Sequence, residues 1–114
     1  MVDRTMRPEV VGEKIEQMVR RIVTRFNPEK IILFGSHARG TAGRDSDVDL
    51  LVILRNPGSK RRKRLEIREI LHGIGLAKDI VVATPEEVER ERDLVGTIIR
   101  PAVHEGKVLY ERPD

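Results

Sequence analysis

A chain of 114 residues has room for one domain, and 39% apolar with 36% charged residues describes a globular fold under a heavily charged surface, not a disordered segment. The absence of cysteine excludes disulfides and thiolate metal sites, and the longest apolar run, Leu50–Leu54, is far too short to span a membrane. The formal net charge of +3 is modest but uneven, with Lys60–Arg64 forming one basic block and Glu86–Glu91 an acidic stretch. The basic block reads as a solvated helix turn before it reads as a phosphate or partner site. Aromatic residues make up only 3%, which leaves no platform for stacking bases and argues against direct nucleic-acid binding. The charged start, MVDRTMRPEV, lacks the apolar segment of a signal peptide, so a cytoplasmic location is expected. Abundant Arg and Glu without Cys also fit a heat-stable protein.

In chain order, Val11, Ile15, Met18, Val19, Ile22 and Phe26 recur at helical spacing and predict an amphipathic helix over 9–26, ended by Asn27-Pro28. Residues 30–35 read as a short buried strand. Residues 35–43 form a glycine-containing loop with room for one helical turn from Ser36. Residues 47–54 read as a second strand, with Asp47, Asp49, Leu51 and Ile53 on one face and Val48, Leu50, Val52 and Leu54 on the other. Both faces turn apolar after the aspartates, the pattern of a central strand covered on both sides.

A turn at Asn56-Pro57-Gly58 leads to a helix over 59–72 with Leu65, Ile67, Ile70, Leu71 and Ile74 as its apolar positions. Residues 79–83 read as a third strand. Thr84, Pro85 and Glu87 form a helix start with a capping box. Leu94, Val95, Ile98, Ile99, Ala102 and Val103 extend that helix, with a kink expected at Pro101, and 107–110 read as a final short strand. The expected fold is α/β, a small mixed sheet with packed helices in a single domain, 1–114.

Two carboxylates one residue apart on a strand share a face, repel each other and resist burial unless a cation sits between them. With no His or Cys at that spacing the donors are hard oxygens, which select Mg²⁺ or Mn²⁺ over zinc. Gly35 and Ser36 follow a strand end, where backbone N–H groups and a hydroxyl can meet a phosphate, and Arg39 and Arg44 could add charge. No Gly-Lys-Ser/Thr follows, so this is not a Walker loop. Asp79 opens the third strand and can reach the same cleft if that strand lies beside the second.

Gly35-Ser36, ten residues, then Asp47-Val48-Asp49, within GSHARG…SDVDLLVIL, resembles the signature of the polymerase-β-like nucleotidyltransferases and in particular their small branch, the minimal nucleotidyltransferases. The resemblance runs on to the Asp79 strand and the closing EGKVLYE. It implies a phosphate-binding pair in Gly35 and Ser36, with Arg39 near the triphosphate. It implies ligands for two Mg²⁺ ions in Asp47 and Asp49, and a third acid, ligand and general base, in Asp79. The implied reaction moves a nucleoside monophosphate, with ATP the expected donor, onto a hydroxyl. Within that branch the implied acceptor is a tyrosine of a co-encoded HEPN-type RNase toxin. A small hydroxylated acceptor is the alternative, and a non-catalytic module that blocks its partner is a second. His37 is given no role, and His72 and His104 are expected on helix surfaces.

Overall fold

The computed structural model describes residues 8–43 and 45–113, so Arg44 and the first seven residues, on which two expectations rest, lie outside the described residues. The elements are α1 (Pro8–Phe26), β1 (Lys30–Phe34), α2 (Ser36–Arg39), β2 (Val48–Ile53), α3 (Lys60–Ile70), β3 (Lys78–Ala83), α4 (Pro85–Glu91), α5 (Ile99–Glu105) and β4 (Lys107–Glu111). The four strands form one mixed sheet in the order β3-β2-β1-β4, as the α/β reading requires. β1 pairs antiparallel with both β2 and β4, whereas β2 pairs parallel with β3 through the α3 crossover.

The alternation along β2 divides the core in two. Val48, Leu50, Val52 and Leu54 join Ile31 and Leu33 of β1 and Ile80 and Val82 of β3 beneath α1 and α3, where Ile15, Met18, Ile22, Ile67 and Leu71 are buried. Leu51 and Ile53 join Ile32, Phe34 and Ala83 beneath α5, where Ile99 and Ala102 are buried. Leu50, Leu51 and Val52 are fully buried, as the two-sided apolar pattern of a central strand predicts. Each such side chain contributes about 1.5–3 kcal/mol of transfer free energy.

Helix boundaries follow local chemistry. α1 stops where Asn27 takes a left-handed backbone, φ 47°, ahead of the buried Pro28. Ser59 caps α3 by accepting the Arg62 N–H at 3.2 Å. Thr84 and Glu87 make the expected capping box, each side chain accepting the other's backbone N–H, at 3.1 and 3.0 Å.

Four expectations need correction. The last helix is two helices: α4 ends at Glu91 and α5 starts at Ile99, with Gly96 at φ 94° between them. Leu94, Val95 and Ile98 therefore lie outside any helix and are exposed. Pro101 falls in the first turn of α5, where a missing N–H leaves no helical bond unmade, so it introduces no kink. Leu65 is 53% exposed rather than core, because the sheet side of α3 is taken by Ile67 and Leu71. β2 begins at Val48, so Asp47 stands one residue before the strand.

Candidate active site

The C-terminal end of β1 and the N-terminal ends of β2 and β3 meet at one edge of the sheet. Asp49, the second residue of β2, is paired across the ladder with Phe34 on one side and with Asp79 on the other. The side-chain alternation that sends Leu51 and Ile53 toward α5 puts Asp47, Asp49 and Asp79 on that same face, where the helical cover has ended. Asp47 and Asp79 are exposed and Asp49 is partly buried. The parallel register thus supplies the neighbour that the sequence left conditional.

Gly35 makes this corner possible. It follows β1 with φ 74° and ψ −155°, a conformation essentially confined to glycine. A Cβ placed there would be driven into the Asp49 carboxylate, whose Cγ lies 3.1 Å from the Cβ position. The backbone at Gly35 and the Asp49 carboxylate are therefore in direct apposition. The chain then makes the single turn of α2, seated by the buried Ala38. The Gly35 carbonyl accepts from the N–H groups of Ala38 and Arg39, both at 3.1 Å. The N–H groups of Ser36 and His37, first in the turn, have no intrahelical acceptor.

Electrostatics mark Asp49 as the strained member of the group. Burial pushes its carboxyl above the usual carboxylate range. The nearby charges of Asp79 and Asp47 push the same way, and His37 and Arg39 pull back. His37, to which sequence reasoning gave no role, also reaches the loop that carries Asp47: its Nε2 is 3.4 Å from the Ser46 carbonyl. The signal available in the sequence was its place next to Ser36 at the start of α2. Arg39 is exposed, and His72 and His104 lie on the surface, His104 beside Asp93 at 2.7 Å. Gly35, Ser36, Arg39, Asp47, Asp49 and Asp79 are thus all at the same sheet edge.

This donor set fits a divalent cation. Like-charged oxygens gather around a carboxylate whose ionised form burial already disfavours, and a hard cation would relieve both conditions. Among the described residues no three His, Asp or Glu side chains are gathered closely enough to hold a metal unaided. Asp47, Asp49 and Asp79, expected together as metal ligands, therefore do not form a closed ligand set by themselves.

The family model for the nucleotidyltransferase domain matches residues 14–109. Among named relatives, the protein adenylyltransferase MntA of Thermococcus cleftensis is 32% identical over 81% of this chain and 93% of its own length. MJ1305 of Methanocaldococcus jannaschii, provisionally named a protein adenylyltransferase, is 27% identical over 94% of this chain and 76% of its own. A solved structure provisionally named a minimal nucleotidyltransferase superposes with a TM-score of 0.55 at 27% identity, over 90% of this chain and 95% of that one. A toxin–antitoxin structure with AMP-PNP shares the fold, with a TM-score of 0.60 at 22% identity over 85% of this chain and 73% of that one.

Proposed function

The chain belongs to the nucleotidyltransferase domain family, and on that premise we propose that it is a Mg²⁺-dependent protein adenylyltransferase that moves AMP from ATP to a tyrosine of a HEPN-type RNase toxin and so acts as its antitoxin. Two relatives that carry the protein adenylyltransferase name, and a fold neighbour that is a toxin–antitoxin structure with AMP-PNP, support the reading. The observation that carries it is the side-by-side register of Asp49 and Asp79 against the glycine that opens α2.

In this reading residues 1–114 form one catalytic domain. Asp47 and Asp49 hold the divalent ions, which when bound neutralise the carboxylates and the triphosphate. The Ser36 hydroxyl and the first N–H groups of α2 hold phosphate oxygens, and Arg39 adds positive charge. Asp79, exposed beside Asp49, takes the proton from the acceptor hydroxyl. The acceptor oxygen bonds to the α-phosphorus as the bond to pyrophosphate breaks. A phenol suits such a base because its pKa, near ~10, lies well below that of an aliphatic alcohol.

The test is to copurify the chain with the product of its neighbouring gene, add each nucleoside triphosphate with Mg²⁺, and map the added mass on both proteins by tandem mass spectrometry. AMP on a partner tyrosine is the expected result. Tyr110→Phe should leave that transfer unchanged, since Tyr110 is partly buried in β4 opposite Ile31. Label confined to Tyr110 or to added small hydroxylated molecules would overturn the partner assignment. Absence of transfer from every triphosphate would leave a non-catalytic partner-binding module.

A further inference from the structure

The sheet separates two layers of opposite character. The three aspartates share their face with α4 and α5, where Glu86, Glu89, Glu91 and Asp93 also lie. The other face carries α1 and α3, and α3, KRRKRLEIREI, has six cations against two glutamates. The two helices run antiparallel, fixed at both ends of their overlap. The Arg21 guanidinium donates to the carbonyls of Ile70 and His72, at 3.0 and 3.3 Å, past the C-terminal end of α3. The Lys63 ammonium stands 5.5 Å from the ring centroid of Phe26, the last residue of α1.

This arrangement lays the basic half of α1 along the basic helix α3. A concavity of about 360 Å³ between them is lined by Arg20, Arg21, Thr24, Arg25 and Ile70. Lys60 and Lys63 are neutralised by Glu87 and Glu66. Arg20, Arg25, Arg61, Arg62, Arg64 and Arg68 are exposed, and among the described residues none of them has a carboxylate at ion-pair distance. Arg61, Arg64 and Arg68 fall on one stripe of α3 that spans about 10 Å.

We propose that the α1–α3 face binds the phosphodiester backbone of a nucleic acid without reading its sequence. A guanidinium fork matches phosphate oxygens in pairs, and unpaired arginines in a row along a helix suit a regular line of phosphates. The centre of a protein–protein interface is depleted in charge and more apolar than its rim, whereas on this face, among the described residues, Leu65 is the large apolar side chain left exposed. The exposed apolar group Leu94, Val95 and Ile98 lies on the connection between α4 and α5, in the opposite layer. The scarcity of aromatics bears on base stacking and leaves phosphate contact untouched. With the sheet between this face and the aspartates, the site is separate from the proposed transfer chemistry.

The test uses the full chain without nucleotide or metal, and labelled duplexes of about 20 base pairs, one RNA and one DNA of the same sequence, followed by fluorescence anisotropy from about 50 to 200 mM salt. Binding that weakens log-linearly with salt is expected, and the two duplexes tell which nucleic acid is preferred. The triple variant Arg61→Glu, Arg64→Glu, Arg68→Glu should bind at least ~10-fold more weakly, with the salt slope reduced by about three. Arg90→Glu with Arg92→Glu, in the opposite layer, should bind as wild type does. Since among the described residues none of the three α3 guanidiniums has an ion-pair partner, the triple variant should keep its melting temperature. If it does not, Arg20→Ala with Arg25→Ala takes its place in the same titration. No binding at the lowest salt, or undiminished binding by the variant, overturns the proposal. Displacement of the duplex by poly-glutamate at equal charge also overturns it, and assigns the face to an acidic protein.

Discussion

Asp49→Asn is expected to cut nucleotidyl transfer by more than about 100-fold, the upper range for residues that only support a metal ligand. In metal-free buffer at neutral pH the variant should melt no lower than wild type. The sign follows from proton linkage. Folding raises the proton affinity of Asp49, first by burial and then through Asp79 and Asp47, above the ordinary value of 3.8. From that pH upward the unfolded chain gives up its proton more readily than the folded one, so ionising Asp49 works against the fold. The penalty is complete once the pH has passed the raised folded value, and it is absent below 3.8, where both states are protonated. Asparagine carries no charge to penalise. Its advantage should grow as the pH rises through this window and vanish in acid. With ATP and Mg²⁺ the order reverses, because wild type alone gains stability from binding. Calorimetric melting across pH, with and without Mg²⁺–ATP, reads all three regimes. Full activity in the variant, or a lower melting temperature at neutral pH without metal, would defeat the assignment.

Gly35→Ala should be nearly as damaging, and for two separable reasons. The backbone at φ 74° and ψ −155° excludes other residues at about 1–3 kcal/mol. The new methyl would also enter the space of the Asp49 carboxylate. Gly40→Ala carries backbone strain without a clash: its φ of 76° and ψ of 18° are left-handed helical, a milder case than Gly35, and nothing lies within 4 Å of the added carbon. We expect Gly40→Ala to lower stability by about 1–2 kcal/mol with transfer retained, and Gly35→Ala to lose both. Adding Asp49→Ala to Gly35→Ala should recover part of the stability, with a coupling of roughly 0.5–3 kcal/mol in denaturant titrations. Strict additivity would show that the methyl and the carboxylate do not meet.

The parts of the fold readable in the sequence are those set by local chemistry. The cap at Thr84 and Glu87, the stop at Asn27-Pro28 and the single turn after Gly35 need only neighbouring residues, and each stands where its residues demanded. Alternation placed Asp47 and Asp49 with Leu51 and Ile53, and the two core clusters have that division. Alternation says which face a side chain takes and nothing about which strand lies alongside. The β3-β2-β1-β4 order and the Asp49–Asp79 register depend on pairing between segments far apart in the chain, which alternation does not encode. Leu94, Val95 and Ile98 misled because helical spacing continues through a segment that Gly96 breaks. His37 escaped notice because its relation to Asp49 and to the Ser46 carbonyl depends on the way α2 folds back over the loop.

The pairing of Asp49 with Asp79 joins a central strand to a border strand, and the two need not share one cooperative unit. β2 is hydrogen-bonded on both sides, whereas β3 is held by β2 alone and covered by α3. β1 and β2 are joined through residues 35–47, which include α2, but β3 joins only after the longer α3 crossover has closed, at a somewhat greater cost in chain entropy. Sub-global opening that peels β3 and α3 away together would then carry Asp79 off while Asp49 stays in place. Native-state hydrogen exchange should show lower protection for the β3 amides bonded to β2 than for the β2 amides bonded to β1. Equal protection would mean that both carboxylates rise and fall with the whole fold.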